Sequence, residues 1–143
     1  AYLSNHNKAV QDMAMLDKFI KPILTITGII TMLPVLQFLL PHFMLQQQGL
    51  NVADDTGLLF AQHWGLLVFC IGGLLVYAAR NPAFRTPVLV VATIEKLGLI
   101  YLVVSQWQNP ALQVFHLPVY FDIFCVLFYV IYLMGQHQIN GPE

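Results

Sequence analysis

Residues 57–79 read GLLFAQHWGLLVFCIGGLLVYAA, an apolar run that contains no charged side chain. A helix needs about 20 mainly apolar residues to cross the hydrocarbon core of a bilayer. Three further mainly apolar runs occupy residues 22–41 (PILTITGIITMLPVLQFLLP), 87–104 (PVLVVATIEKLGLIYLVV) and 117–134 (LPVYFDIFCVLFYVIYLM). None of them alternates between apolar and polar residues, as the strands of a membrane barrel do. The sequence therefore predicts an all-α polytopic membrane protein, in which residues 1–143 form a single domain with a four-transmembrane-helix bundle.

The overall composition agrees with this prediction and excludes several other classes of protein. Apolar residues make up 58% of the chain and charged residues only 9%, with a mean hydropathy of +0.70, whereas soluble domains carry about a quarter charged residues. The same figures exclude an intrinsically disordered chain. Six Lys and Arg residues against seven Asp and Glu residues argue against a basic nucleic-acid binder, so we expect no nucleic acid partner.

The sequence also predicts the structure of the segment before the first span and the effect of the prolines within that span. Residues 7–20 (NKAVQDMAMLDKFI) have an apolar helical stripe, which predicts a short N-terminal amphipathic helix on the membrane surface, with a mobile tail as the alternative. We interpret residues 22–41 as a retained span rather than a cleaved signal peptide. Pro22 is expected in the first turn of that span and Pro41 at its end, while Pro34 should kink the helix from inside.

The basic residues predict the orientation of the chain in the membrane. Five of the six lie before the first span or between the second and third: Lys8, Lys18, Lys21, Arg80 and Arg85. The connections at 42–56 and 105–116 contain neither Lys nor Arg. Loops rich in Lys and Arg stay in the cytoplasm, so both termini are predicted to be cytoplasmic.

The polar residues inside the spans are the candidate functional residues, because a charge at such depth is costly unless it is paired or hydrated. A rise of about 1.5 Å per residue places these groups between the bilayer midplane and the outer face. The residues are Gln37, His63, Glu95, Lys96 and Asp122. Glu95 and Lys96 are about 100° apart on their helix, so we expect Glu95 to face His63 or Asp122, and Lys96 to point outward or to reach Asp122 from the side.

Helical spacing also predicts which faces of the second and fourth spans are buried. On the fourth span one inward stripe is formed by Asp122, Cys125, Tyr129 and Tyr132. On the second span, Ala61, Gly65 and Gly72 form a face of small residues that permits close contact with another helix. His63 and Cys70 lie on the opposite face, and the two cysteines of the chain are interpreted as packing residues rather than a reactive dithiol.

Together these residues predict a polar pocket in the outer half of the bundle. Its ligand would be a lipophilic small molecule with a polar head, such as a quinone or a lipid. The candidate ligand-binding residues are Gln37, His63, Glu95, Lys96, Tyr101, Asp122 and Tyr129, beneath a rim formed by Trp64, Tyr101, Trp107 and Tyr120. The competing interpretation is that the polar residues only fix the packing of the four helices.

Other functions receive weaker support from the residues. His42, His63 and His116 lie at the outer ends of three spans and could hold a metal or haem in a redox component, although no two of them have helical ligand spacing. Glu95 could serve a small proton-coupled transporter, which would need a dimer. No Gly-rich phosphate loop, nucleophile elbow, HExxH or CxxC motif occurs. We therefore expect a non-catalytic protein, either a binder of a lipophilic molecule or an accessory subunit that associates with other membrane subunits or with copies of itself.

Residues 63–98 (HWGLLVFCIGGLLVYAARNPAFRTPVLVVATIEKLG) resemble the middle of small bacterial four-helix membrane proteins of the DoxX-like kind. The resemblance lies in the architecture and character of the second and third spans, and it covers about a quarter of the chain. It implies a bacterial inner-membrane location, and some proteins in that group are linked to quinone-dependent oxidation. It assigns no role to any single residue.

Overall fold

The computed structural model describes residues 2–139, and within this range it contains helices and no strand. Six α-helices follow one another: α1 (Tyr2–Met32), α2 (Val35–Leu39), α3 (Pro41–Gln47), α4 (Asp55–Arg80), α5 (Arg85–Val104) and α6 (His116–Ile139). Two 3₁₀ turns, Pro82–Phe84 and Pro110–Phe115, precede α5 and α6. The all-α prediction is confirmed, and four helical segments, α1 with α2, α4, α5 and α6, are long and apolar enough to cross a membrane.

The long helices form a ring in which each contacts two neighbours. Helix α1 packs on α4 and α6, and α5 packs on the same two helices from the opposite corner. The short connections between α4, α5 and α6 reverse the direction of the chain each time. Both ends of the described chain therefore lie at one end of the bundle, which we call the termini end, and the α2–α4 and α5–α6 connections lie at the other, the distal end.

Helices α1 and α4 meet at a pair of glycines. A Cβ atom on Gly72 would lie 2.6 Å from the carbonyl oxygen of Gly28, and one on Gly28 would lie 2.9 Å from the carbonyl oxygen of Gly72. Gly65, farther toward the distal end, is equally close to the backbone of Pro34. The predicted small-residue face of α4 is thus buried against α1 and α2, which fixes the direction in which every other side chain of α4 points.

The N-terminal segment differs from its prediction. Residues 7–20 do not form a separate amphipathic helix but continue without a break into the first span, so Pro22 lies inside α1 rather than in its first turn. The reason is tertiary packing: Ile20 is fully buried in the core, and Leu16 packs against it. Pro22 costs the helix one hydrogen bond, and contacts with α4 and α6 support the helix on both sides of it.

Pro34 interrupts the first span, as its missing N–H predicts. Helix α1 ends at Met32, and α2 begins at Val35 after a turn in which Leu36 N–H donates to the Leu33 carbonyl. The span ends at Leu39 rather than Pro41, because Leu40 leaves the helical conformation (φ −131°, ψ 59°) and Pro41 begins α3. Helix α3 then runs toward the α4 connection, where Asp54 caps α4 by accepting from the Gly57 N–H.

Arg85 closes the termini end in a way that its position in a loop did not predict. Its side chain is 1% exposed. Its Nε donates to the Ala78 carbonyl and its Nη2 to the Ala79 carbonyl, at 3.0 and 2.9 Å, while Nη1 donates to Asp17 Oδ1 at 2.5 Å. These bonds satisfy carbonyls at the C-terminal end of α4 and tie α1, α4 and α5 together.

The glycine contact predicts that Gly72→Ala lowers the thermal unfolding temperature of the detergent-purified protein, because the new methyl group overlaps the backbone of α1. An overpacked core position costs about 1–3 kcal/mol. Gly73→Ala is the matched control, since a Cβ there meets no atom within 4 Å, and it should leave the unfolding temperature unchanged or raise it. Equal effects of the two substitutions would contradict the close contact.

Arg85→Gln is expected to destabilise the protein, because it leaves Asp17 without this buried partner and two helix carbonyls without their donor. Removal of one member of such a charged network costs about 3 kcal/mol when the pair is buried, and less here because Asp17 is partly exposed. Arg80→Gln changes the same charge at an exposed position at the same end of the bundle. Thermal unfolding that is lowered to the same extent by both substitutions would show that Arg85 acts through charge alone.

Candidate functional site

A cavity of about 610 Å³ lies in the distal half of the bundle. Its walls come from α1 and α2 on one side, from α5, α6 and the preceding 3₁₀ turn on the other, and from α3 and α4. Most of the lining is apolar, with polar side chains concentrated on α1, α2 and α5 and at the start of α6. Among the lining residues are Thr31, Gln37, Trp64, Val68, Glu95, Lys96, Leu99, Phe115, Phe121 and Asp122.

The polar part of the cavity is built on an ion pair between α5 and α6. Lys96 Nζ donates to Asp122 Oδ1 at 2.6 Å, and the two side chains are 3% and 6% exposed. Nζ also lies 5.1 Å from the centre of the Phe121 ring, which is within the range of a cation–π contact. Of the two orientations predicted for Lys96, the structure has the one directed at Asp122. An ammonium group carries three donors, so the pair does not exhaust the donors of Lys96.

Two polar atoms in the cavity have no hydrogen-bond partner. Oε2 of Glu95 is buried and unpartnered, and so is Oγ1 of Thr31, whose residue is 4% exposed. Glu95 takes part in no ion pair within the described residues, because its neighbour Lys96 is directed at Asp122. A buried polar atom without a partner costs about 1–3 kcal/mol. Both atoms belong to residues that line the cavity.

Gln37 connects the cavity wall to α4. Its side chain is buried, and Nε2 donates to the Ala61 carbonyl at 2.6 Å. In return, Gln62 Nε2 donates to the Phe38 carbonyl at 3.1 Å. These two bonds hold α2 against α4 just beyond the Pro34 break, so Gln37 positions the wall of the cavity and presents part of its amide to the interior.

The cavity opens sideways between the first span and α6. Ile30, Leu33 and Leu36 are exposed apolar residues on one edge, and Leu117 is exposed on the other, while all four also line the cavity. Trp64 contacts Phe115 edge to face, with ring centres 6.4 Å apart, and forms part of the inner wall. If the four long helices cross a bilayer, this opening faces hydrocarbon rather than water.

The structure brings together four of the seven predicted ligand-binding residues: Gln37, Glu95, Lys96 and Asp122 all line the cavity. His63 and Tyr101 are exposed on the outside of the bundle and do not line it. His63 points outward because the glycine face of α4, on the opposite side of that helix, packs on α1.

Tyr129 is buried but lies outside the cavity, closer to the termini end. Its hydroxyl and that of Thr27 are 2.6 Å apart, and Thr27 also donates to the Ile23 carbonyl. The predicted inward stripe of α6 is confirmed, because Asp122, Cys125, Tyr129 and Tyr132 are all buried. Only its first member reaches the cavity, and Cys70, the other cysteine, is exposed.

The three histidines considered for a metal or haem lie at separate places. His42 lines a shallow pocket of about 410 Å³ beside the connection that follows α3, His63 is exposed on α4, and His116 stacks on Trp107 with ring centres 3.7 Å apart. In residues 2–139 no group of three or more His, Cys, Asp or Glu side chains could hold a metal ion. Of the predicted aromatic rim, Trp64 lines the cavity, whereas Tyr101, Trp107 and Tyr120 do not.

Thr31 is the site residue that the sequence interpretation missed. It lies one helical turn after Thr27, so the two hydroxyls share a face of α1. Thr27 bonds to Tyr129, while Thr31 faces the cavity. The signal was available as two threonines four residues apart on one helix face, but threonine is common in apolar helices and is less distinctive than an ionisable residue.

Comparisons with protein-family models, with curated proteins and with solved structures gave no match for this chain. The resemblance of residues 63–98 to DoxX-like proteins therefore stays a prediction. What can be said of the site rests on its own geometry.

The buried ion pair can be tested with a double-mutant cycle of Lys96 and Asp122. Lys96→Met leaves Asp122 as an uncompensated buried charge, and Asp122→Asn does the same to Lys96, so each should lower stability by about 3–5 kcal/mol. The double variant should lose clearly less than the sum of the two, because neither charge is left alone. Thermal or denaturant unfolding of the four proteins in one detergent measures this coupling, and additive losses would show that the two side chains do not interact.

Proposed function

We propose that this protein binds a lipophilic small molecule with a polar head, of the quinone or lipid class, in the distal cavity. The observation that carries the proposal is the pair of buried, unpartnered polar atoms on Glu95 and Thr31, two residues that line a mainly apolar cavity. A bundle selected only for packing would gain stability by replacing them with apolar groups, since a buried polar group without a partner is destabilising.

The size and lining of the cavity support this function. Small-molecule sites typically enclose about 300–1,000 Å³ and combine apolar walls with a few polar groups that orient the ligand. This cavity has about 610 Å³ and a mainly apolar lining with a few polar side chains. Lys96 offers donors to a carbonyl or ester oxygen, while Glu95 and Thr31 offer acceptors. The sideways opening suits a ligand that arrives dissolved in the membrane.

We further propose that the protein resides in a bacterial inner membrane with both termini in the cytoplasm. The support is the distribution of basic residues. The five that lie outside the apolar segments belong to residues 8–21 of α1 and to the adjoining ends of α4 and α5, both toward the termini end. The connections at the distal end contain no Lys or Arg, as the positive-inside rule requires of the external side. The cavity would then open into the outer half of the membrane.

The proposal predicts different consequences for two buried threonines. Thr31 and Thr93 both have an unpartnered buried hydroxyl, but only Thr31 lines the cavity. Thr31→Val and Thr93→Val should leave the unfolding temperature equal or higher, because each removes a buried group that has no partner. Thr31→Val alone should weaken ligand binding, by about threefold to tenfold for one lost hydrogen bond.

Binding can be followed by the fluorescence of Trp64 after Trp107, the other tryptophan, is replaced by Phe. The protein is placed in phosphatidylcholine nanodiscs and titrated with decylubiquinone or with 1-oleoylglycerol. A saturable change that is weakened in Thr31→Val and retained in Thr93→Val supports the proposed site. The absence of a saturable change with either probe, together with no lipophilic molecule in a mass-spectrometric analysis of the extracted protein, would contradict it.

A further inference from the structure

The charges that surround the cavity do not balance. Lys96 is the cation of the cavity, and two carboxyl groups, Asp122 and Glu95, are present with it. The ammonium group of Lys96 is 2.6 Å from Asp122 and forms no ion pair with Glu95. With both acids ionised, the lining therefore carries one negative charge without a counter-charge, in surroundings where an unpaired charge is strongly unfavourable.

We infer that the cavity selects a lipophilic amine, whose protonated nitrogen pairs with Glu95 while its apolar body fills the space between α2, α4 and α6. This inference rests on the proposed function and specifies its ligand. An ammonium N–H supplies the donor that Oε2 of Glu95 lacks in the structure. A quinone carries only acceptors on its head, so it could accept from the Thr31 hydroxyl but would leave an ionised Glu95 without a donor.

The aromatic walls support the same ligand class. Trp64, Phe115 and Phe121 all line the cavity, and the faces of aromatic rings attract cations within about 6 Å. The Phe121 ring already has Lys96 Nζ near it, at 5.1 Å. Trp64, the strongest cation–π partner among the amino acids, lines the cavity from α4, and no cation within residues 2–139 is recorded over its ring.

The charge balance also limits which amines fit. A phosphate beside the ammonium group would bring a second negative charge toward Glu95 and Asp122, and it would restore the imbalance that the amine removes. We therefore expect a phosphate-free amine to bind better than a zwitterionic headgroup such as that of phosphatidylethanolamine. A free lipophilic amine and the phosphatidylethanolamine headgroup both present an ammonium group, so the experiment must distinguish these two ligands.

The test compares two probes that share one apolar body, 1-adamantanemethylamine and 1-adamantanemethanol. The first is protonated at neutral pH and the second is uncharged. Both are titrated into the Trp107→Phe protein in phosphatidylcholine nanodiscs while Trp64 fluorescence is recorded, and empty nanodiscs correct for partitioning. The amine should bind at least about tenfold more tightly than the alcohol, the advantage expected of a charge-assisted hydrogen bond.

Glu95→Gln and Asp55→Asn form the matched pair of variants. Both remove one negative charge, but Asp55 is exposed at the start of α4 and does not line the cavity. Glu95→Gln should bring the affinity for the amine down to that for the alcohol, so that the variant no longer distinguishes the two probes. Asp55→Asn should retain the preference for the amine. If Glu95→Gln fails to fold, the comparison of the two probes on the unsubstituted site still decides the question.

The possible outcomes separate this inference from the proposed function. Equal affinities for amine and alcohol would overturn the amine assignment, because Glu95 would then act as a neutral group, but would leave a lipophilic site in place. A preference for the amine that persists in Glu95→Gln would also overturn it. If neither adamantane probe binds saturably, and neither decylubiquinone nor 1-oleoylglycerol does, both the amine assignment and the proposed lipophilic site would be overturned. Competition in nanodiscs that contain phosphatidylethanolamine would identify the lipid headgroup as the source of the ammonium, and no competition would identify a free amine.

Discussion

A charge inside an apolar bundle must be neutralised there, and the Lys96–Asp122 pair meets this requirement where α5 and α6 face each other. The two side chains are almost completely buried and 2.6 Å apart, so moving either helix along the other would separate them at a cost of several kcal/mol. The pair thereby fixes the register of α5 against α6 and gives the cavity its polar region. The pair also determines whether Glu95 has a counter-charge. Because the ammonium group is committed to Asp122, the carboxyl group one residue earlier is left without a counter-charge.

The bundle is closed at the termini end and open at the distal end. Different interactions are responsible at each end. Toward the termini end, Gly28 and Gly72 bring two backbones into contact, Thr27 bonds to Tyr129, and Arg85 joins α1, α4 and α5. Beyond Met32 the chain changes direction, because Pro34 cannot continue the helix. Gln37 and Gln62 then hold α2 to α4 rather than to α6. The cavity lies beyond this break, lined by α2 on one side and by α6 on the other.

The sequence predicted the features that depend on periodicity and on local chemistry. Apolar runs located the four long helical segments, a missing N–H located the break at Pro34, and helical spacing placed Asp122 and Tyr129 on one buried stripe. The sequence alone could not identify the partner of Lys96, because Glu95 and Lys96 lie about 100° apart on their helix and either side chain could face inward. His63 was included for its depth, although the glycine face opposite it already indicated the outward direction. Arg85 was interpreted from its charge as a topology signal, since only the folded chain brings Asp17 and the end of α4 to its guanidinium group.

Whether the polar residues form a structural cluster or a binding site depends on which of them already have a hydrogen-bond partner within the protein. Lys96, Asp122 and Gln37 each have a hydrogen-bond partner elsewhere in the chain, and a purely structural account explains all three. Glu95 and Thr31 gain no partner, so they only lower the stability of the empty bundle, and a structural account leaves them unexplained. They lie on α5 and α1, diagonal corners of the ring, with the cavity between them. A molecule that occupies the cavity is therefore what could satisfy both, and the ligand with the complementary chemistry has an N–H-bearing cation at its head and an apolar body behind it.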